Sequence, residues 1–146
     1  MKANTKNANS TILLDEGLET FNLAFKGRDD VVAISFNPSD PDLILRLEKS
    51  IANIDEAIAG VSDDDTGTEK LKKINEAICE QVDFIFGNNI SDKVFKHCSP
   101  LATNSKGELF VERFMDAVTP YIRDRAIAAR KASEARMAKH TAKYAK

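Results

Sequence analysis

The stretch Phe36-Asn37-Pro38-Ser39-Asp40-Pro41-Asp42 and the residues after it constrain this chain more than any other feature. Asp40 suits a helix N-cap, and Pro41 suits the first helical position, where its missing N–H costs nothing. Pro41 also pushes Asp40 out of the α region, as a cap requires. Asp42 then faces the positive end of the helix dipole. Ile44, Leu47, Ile51, Ile54 and Ile58 follow at alternating spacings of three and four, which draws one apolar stripe along a helix. A helix striped on one side must be covered by other elements, so the rest of the chain is read for what covers it.

Gly60-Val61-Ser62-Asp63-Asp64-Asp65-Thr66-Gly67 ends that helix, and Gly67 or Thr68 opens the next. Its stripe is Leu71, Ile74, Ile78, Val82 and Ile85, broadened by Phe84 and Phe86, and Gly87 is placed to stop it. Ser91 is expected to cap a short helix reaching Cys98 that buries Val94 and Phe95. Glu108 is expected to open the last helix, striped by Phe110, Val111, Phe114, Val118, Tyr121 and Ile122. Pro120 should kink it or break it near Asp116–Thr119. Upstream, Phe21, Leu23 and Phe25 alternate with polar or small residues, and Val32, Ile34 and Phe36 do the same. That period of two predicts two strands, joined through Lys26-Gly27-Arg28-Asp29-Asp30 into a hairpin. A lone hairpin is marginal in water, so the helices must cover its apolar face.

The expected fold is therefore α+β, mostly α: an N-terminal hairpin packed on a small helical bundle. Residues 1–11 read as a flexible polar arm, 12–122 as the globular domain, and 123–146 as a basic, Ala-rich helical tail. At 146 residues the chain suffices for one domain. From Tyr121 onward eight Lys/Arg face only Asp124 and Glu134, a formal +6; with −2 for the whole chain, the rest carries −8. After Ile127 only Met137 and Tyr144 are large and apolar. Such a segment favours helix locally but has almost nothing to bury, so it should project from the body.

The chemistry on offer is sparse. His97-Cys98 with Cys79 invites a metal or nucleophile reading, but no close ligand pair such as C-x₂-C is present, and neighbours on a helix diverge by about 100°. Two buried cysteines and a surface histidine are the plainer expectation. Asp63-Asp64-Asp65 lacks the alternation, the glycine and the distal Glu of a calcium loop. No phosphate-cradling glycine loop and no nucleophile motif occurs. No cofactor and no enzymatic activity are expected. Two cysteines fit no disulfide framework, and no signal peptide or apolar stretch of membrane-span length is visible, so a cytoplasmic location without membrane association is expected.

The basic tail remains. Arg123, Arg125, Arg130, Lys131, Arg136, Lys139 and Lys143 are the candidate partner-binding residues. They suit an acidic protein surface, whether another protein or a second copy of this chain in a homo-oligomer. Phosphate tracking on nucleic acid is less favoured beside an acidic body, and a solvated extension without a partner is the plainest alternative.

Phe36-Asn37-Pro38-Ser39-Asp40-Pro41 leading into Arg46-Leu47-Glu48 resembles the early part of tail assembly chaperones of long-tailed, siphovirus-type phages of Gram-positive bacteria. Cys79-Glu80-Gln81-Val82-Asp83-Phe84-Ile85-Phe86-Gly87 with Ser91-Asp92-Lys93-Val94-Phe95 is similar to their helix, its Phe-Gly stop and the following short helix. Gly107–Ile122, with Phe114 and the Pro-Tyr-Ile segment, resembles the element after that. The resemblance spans roughly residues 19–123. It implies a non-enzymatic protein that binds the tape measure protein in the cytoplasm of the infected host and helps recruit tail tube protein. It also implies absence from the mature virion and, in many phages, a longer frameshifted form. The basic tail beyond Arg123 departs from the family pattern and keeps two alternatives open: a small virion structural or adaptor protein, and a nucleic-acid-binding protein acting through its C-terminal helix.

Overall fold

The computed structural model describes residues 10–60, 67–87 and 89–144. Strand β1 (Glu19–Ala24) pairs antiparallel with β2 (Val31–Phe36), placing Phe21 opposite Ile34 and Leu23 opposite Val32. Between them the Arg28 N–H donates to the Phe25 carbonyl at 3.0 Å, with Gly27 at φ +81° in the third turn position, where an L side chain is strained. Alternation turns Phe21, Leu23, Ile34 and Phe36 onto one face. Phe21 stacks on Phe36 at 4.7 Å between ring centres, and Phe36 meets Phe86 edge-on at 5.0 Å.

Helix α1 (Pro41–Ala59) starts as its sequence dictates: the Asp40 carboxylate accepts the Asp42 N–H at 2.9 Å and Pro41 opens the helix. Its buried line differs from the expected one. Leu43, Leu47, Ser50 and Ile54 are buried, while Ile44, Ile51 and Ile58 lie half-covered along one margin. The stripe is rotated because α2 (Thr68–Phe86) packs over Leu43, Leu47 and Ser50, a choice that periodicity alone does not make. In α2 Ile74, Ile78, Val82, Ile85 and Phe86 are buried as expected, Leu71 is half-buried, and Phe84 is largely exposed, with the Lys49 ammonium 5.9 Å from its ring centre. The Arg46 guanidinium crosses from α1 and donates to the Ile85 carbonyl at 3.2 and 3.3 Å. It thereby satisfies one of the carbonyls that a helix end leaves without a partner. Gly87, at φ +119°, stops α2.

The next helix, α3 (Ile90–Val94), ends well before Cys98. Ser91 is not its cap. Asn89 holds that position at φ 68°, and Ser91 is buried at the second helical position, donating its N–H and hydroxyl to the Asp83 carboxylate at 2.7 and 3.0 Å. Helix α4 (Phe110–Tyr144) starts two residues after Glu108, where the Glu112 carboxylate accepts the Leu109 N–H at 3.0 Å, one half of a capping box. It runs 35 residues, about 50 Å, and is not interrupted at Pro120. The expected break is absent because Pro120 and Asp116 both face solvent, where water takes the carbonyl that the proline leaves without a donor.

The core joins Ile34 and Phe36 to Leu43, Leu47, Ile54, Ile78, Val82, Val94, Val111, Phe114 and Ile122. Val111 through Pro120 lie beside Ile51–Asp55, and Arg123 through Glu134 lie beside Ser39–Glu48, so α4 runs antiparallel to α1 and passes beyond its start. Among the described residues no helix is long and apolar enough to cross a membrane. Residues 1–9 of the proposed arm, and Asp63-Asp64-Asp65, lie outside the described residues.

Candidate partner-binding surface

The seven basic residues singled out in the tail separate into groups. Arg125 belongs to the body. Its guanidinium donates to the Glu19 carboxylate at 2.6 Å and to the Tyr121 hydroxyl at 2.9 Å, and these two hydrogen bonds, Glu19 first, raise its pKa further. Tyr121 in turn meets Phe21 edge-on at 5.1 Å. Arg125 therefore ties α4 to the first strand. Arg123 and Arg130, seven residues apart, share one side of α4 and line a groove of about 730 Å³ between that helix and the start of α1. Its floor is Pro41 and Ile44 on α1 against Ala126, Ile127 and Ala129 on α4.

Every described residue from Arg130 to Lys143 is exposed, Arg130, Ser133 and Glu134 at the rim of the groove and the rest beyond it. Arg136, Lys139 and Lys143 follow at spacings of three and four, so they form one basic stripe, with Lys131 on a neighbouring side. The projecting part, from Ala135 to Tyr144, is about 15 Å long. It takes nothing from the core, as its composition implied. The boundary is less sharp than a cut at 122/123, since α4 is continuous there and Ala126 and Ala129 are half-buried.

The His97-Cys98 pair lies in a bend beyond α3 rather than on a helix. His97 is half-buried, not a surface residue: its Nε2 is 2.8 Å from Asp30 Oδ2 and its ring stands edge-on to Phe25 at 4.9 Å. Lys96 donates to the same Asp30 oxygen at 3.0 Å. These two hydrogen bonds, that of Lys96 first, lower the Asp30 pKa to about 2. The cluster staples the hairpin turn to the chain after α3. Cys79 and Cys98 are free thiols, each half-buried, and burial pushes the Cys79 thiol up. No group of three or more His, Cys, Asp or Glu among the described residues is placed to hold a metal ion.

Comparisons with protein-family models, curated proteins and solved structures give no match. Functional argument therefore rests on the surface itself. Two of its features escaped the sequence reading. One is the groove, whose apolar residues come from segments some eighty positions apart. The other is the run Ile12-Leu13-Leu14, placed by the sequence inside the globular domain but 81, 95 and 80% exposed. A signal for the second existed: three apolar residues in a row follow neither the period of a strand nor that of a helix.

Proposed function

We propose that this chain is a non-catalytic tail assembly chaperone that binds a tape measure protein in the cytoplasm of the infected bacterium, helps recruit tail tube subunits and leaves before the virion is complete. The carrying observation is α4. It is anchored through Val111, Phe114, Ile122 and Arg125 and then carries a solvent-exposed basic stripe at Arg136, Lys139 and Lys143. A helix with one end embedded and the other exposed and predominantly basic is suited to lie along a long helical partner with acidic positions. It gives such a partner charge and solubility without competing for the core. The order of the segments that resemble the family, Phe36–Pro41, Cys79–Gly87, Ser91–Phe95 and Gly107–Ile122, supports the same reading. All four contribute residues to one core.

The test is co-expression with a tape measure protein, the long coiled-coil protein whose gene this proposal expects beside that of the chain. The expected result is a rise in soluble partner and co-migration of the two on size exclusion, weakened by high salt because exposed charges are screened over about 8–10 Å. Changing Arg136, Lys139 and Lys143 to Glu should abolish co-migration. An insoluble partner, with the chain instead found in purified particles or retained on DNA with a steep salt dependence, would overturn the proposal in favour of a virion component or a nucleic-acid binder.

A further inference from the structure

The first strand with its turn, the residues after α3 and the first turns of α4 border a cavity of about 510 Å³, far from the basic tail in sequence. Phe110, Arg113, Phe114 and Ala117 follow at spacings of three and four, so one side of α4 faces it. One wall is apolar: Leu23, Phe25 and Phe110 are half-buried and Phe114 is buried. Lys26 and Arg28, both exposed, line it from the turn. Arg113 is out of keeping with its position, a cation on the side of the helix that buries Phe114. Its guanidinium lies 5.4 Å from the Phe110 ring centre, and its Nε is buried with no hydrogen-bond partner among the described residues. A buried donor without an acceptor costs free energy, so it points to a partner the chain itself does not supply.

That partner is an anion. Among the described residues no Asp or Glu lines the cavity. Asp30, in the adjoining turn, is taken up by Lys96 and His97. Glu112 and Asp116 lie on another side of α4, in the groove against α1. Lys26, Arg28 and Arg113 make no ion pair among the described residues. Three unopposed cations thus gather beside an apolar wall, in a body whose residues before Tyr121 carry −8.

We propose that this cavity binds an acidic peptide segment of a partner protein, one apolar side chain entering between Phe25, Phe110 and Phe114 while flanking Asp or Glu side chains meet Arg113, Arg28 and Lys26. An inorganic anion would meet the charges but leave the apolar wall uncovered. A continuous phosphate chain is disfavoured by Asp29 and Asp30, which follow Arg28 in the turn. The volume falls within the range of about 300–1,000 Å³ that takes drug-sized ligands, enough for one apolar residue and its neighbours. The site uses none of Arg136, Lys139 and Lys143, so it stands or falls apart from the tape-measure reading.

The test is fluorescence anisotropy of a labelled short peptide, one Leu flanked by Asp and Glu, titrated with the full chain. Saturable binding is expected below about a millimolar, weakened but not abolished by high salt. Arg28→Glu and Arg113→Gln should each keep the wild-type circular dichroism and weaken binding about tenfold or more. If Arg113→Gln loses its fold, Arg28→Glu, at an exposed position, decides alone. The variant with Arg136, Lys139 and Lys143 changed to Glu should bind the peptide as the wild type does. Peptides with Gly in place of Leu, or Lys in place of the acids, should bind about tenfold more weakly or worse. No saturation in that range, binding untouched by Arg28→Glu, or loss in the tail variant alone would each overturn the proposal. Equal binding of the Gly peptide, or tighter binding of a DNA oligonucleotide, would overturn it in favour of a general anion patch.

Discussion

On α1 the Ser50 hydroxyl is fully buried and has no hydrogen-bond partner among the described residues. A small residue is needed where the two helices approach, but the hydroxyl costs desolvation without return. Ser50→Ala should therefore leave stability unchanged or raise it by up to about 1–2 kcal/mol, as read from chemical denaturation. Asp30 is the opposite case, a polar group with more partners than its exposed position suggests. Its pKa is lowered from 3.8 to about 2, so its contribution is fully present above about pH 4 and is lost as pH falls through about 2. Asp30→Asn should melt below the wild type at neutral pH, and the gap should close on acidification between pH 4 and 2. A gap that is constant across that window would show that the Lys96 and His97 contacts do not hold the turn.

The elements differ in what stabilises them. Helix α1 is fixed by its cap and its inner line, so Leu47→Ala should cost about 2–5 kcal/mol in thermal or urea unfolding, whereas Ile51→Ala, on the half-covered margin, should cost clearly less. Equal losses would return Ile51 to the centre of the core. Helix α4 tolerates Pro120 only because its outer side is wet. Pro120→Ala restores a backbone donor to the Asp116 carbonyl and removes the ring's steric conflict, so it should stabilise the protein by about 1–3 kcal/mol. A neutral or destabilising result would mean that the proline sets a bend on which packing at Tyr121 and Ile122 depends.

For the whole molecule the antiparallel passage of α4 along α1 decides where the charge goes. The basic end leaves past the start of α1, away from Asp55, Glu56, Glu112 and Asp116 at the other end of that contact. The stripe of Arg136, Lys139 and Lys143 is thereby carried away from those four acidic residues. Ending the chain after Glu134 removes Arg136, Lys139 and Lys143 but keeps Ile127, Arg130 and the groove. Stability should change by no more than about 0.5 kcal/mol, as for other exposed positions away from the core. Binding to an acidic helical partner should fall with it, measured by titration at low salt. Loss of cooperative unfolding would show that the projecting helix is part of the core after all.

Local rules were enough for the hairpin, the Asp40-Pro41 start, the Gly60 and Gly87 stops and the inner face of α2. In each case the deciding interaction lies within a few residues: a cap, a turn glycine, a period of two or of 3.6. The projection of the basic tail was legible for the same reason, because a segment with no apolar face cannot be drawn into a core. Other features depended on partners far away in the chain. Periodicity places Ile44, Leu47, Ile51, Ile54 and Ile58 on one broad face, but the packing of α2 selects Leu43, Leu47, Ser50 and Ile54 as its centre. Ser91 has the composition of a cap, yet Asp83 claims it. Arg125 reads as one cation among eight until Glu19 and Tyr121 close on it. The groove at Ile44 and Ile127 arises only when two helices cross, since the surface that closes or opens there belongs to neither segment alone.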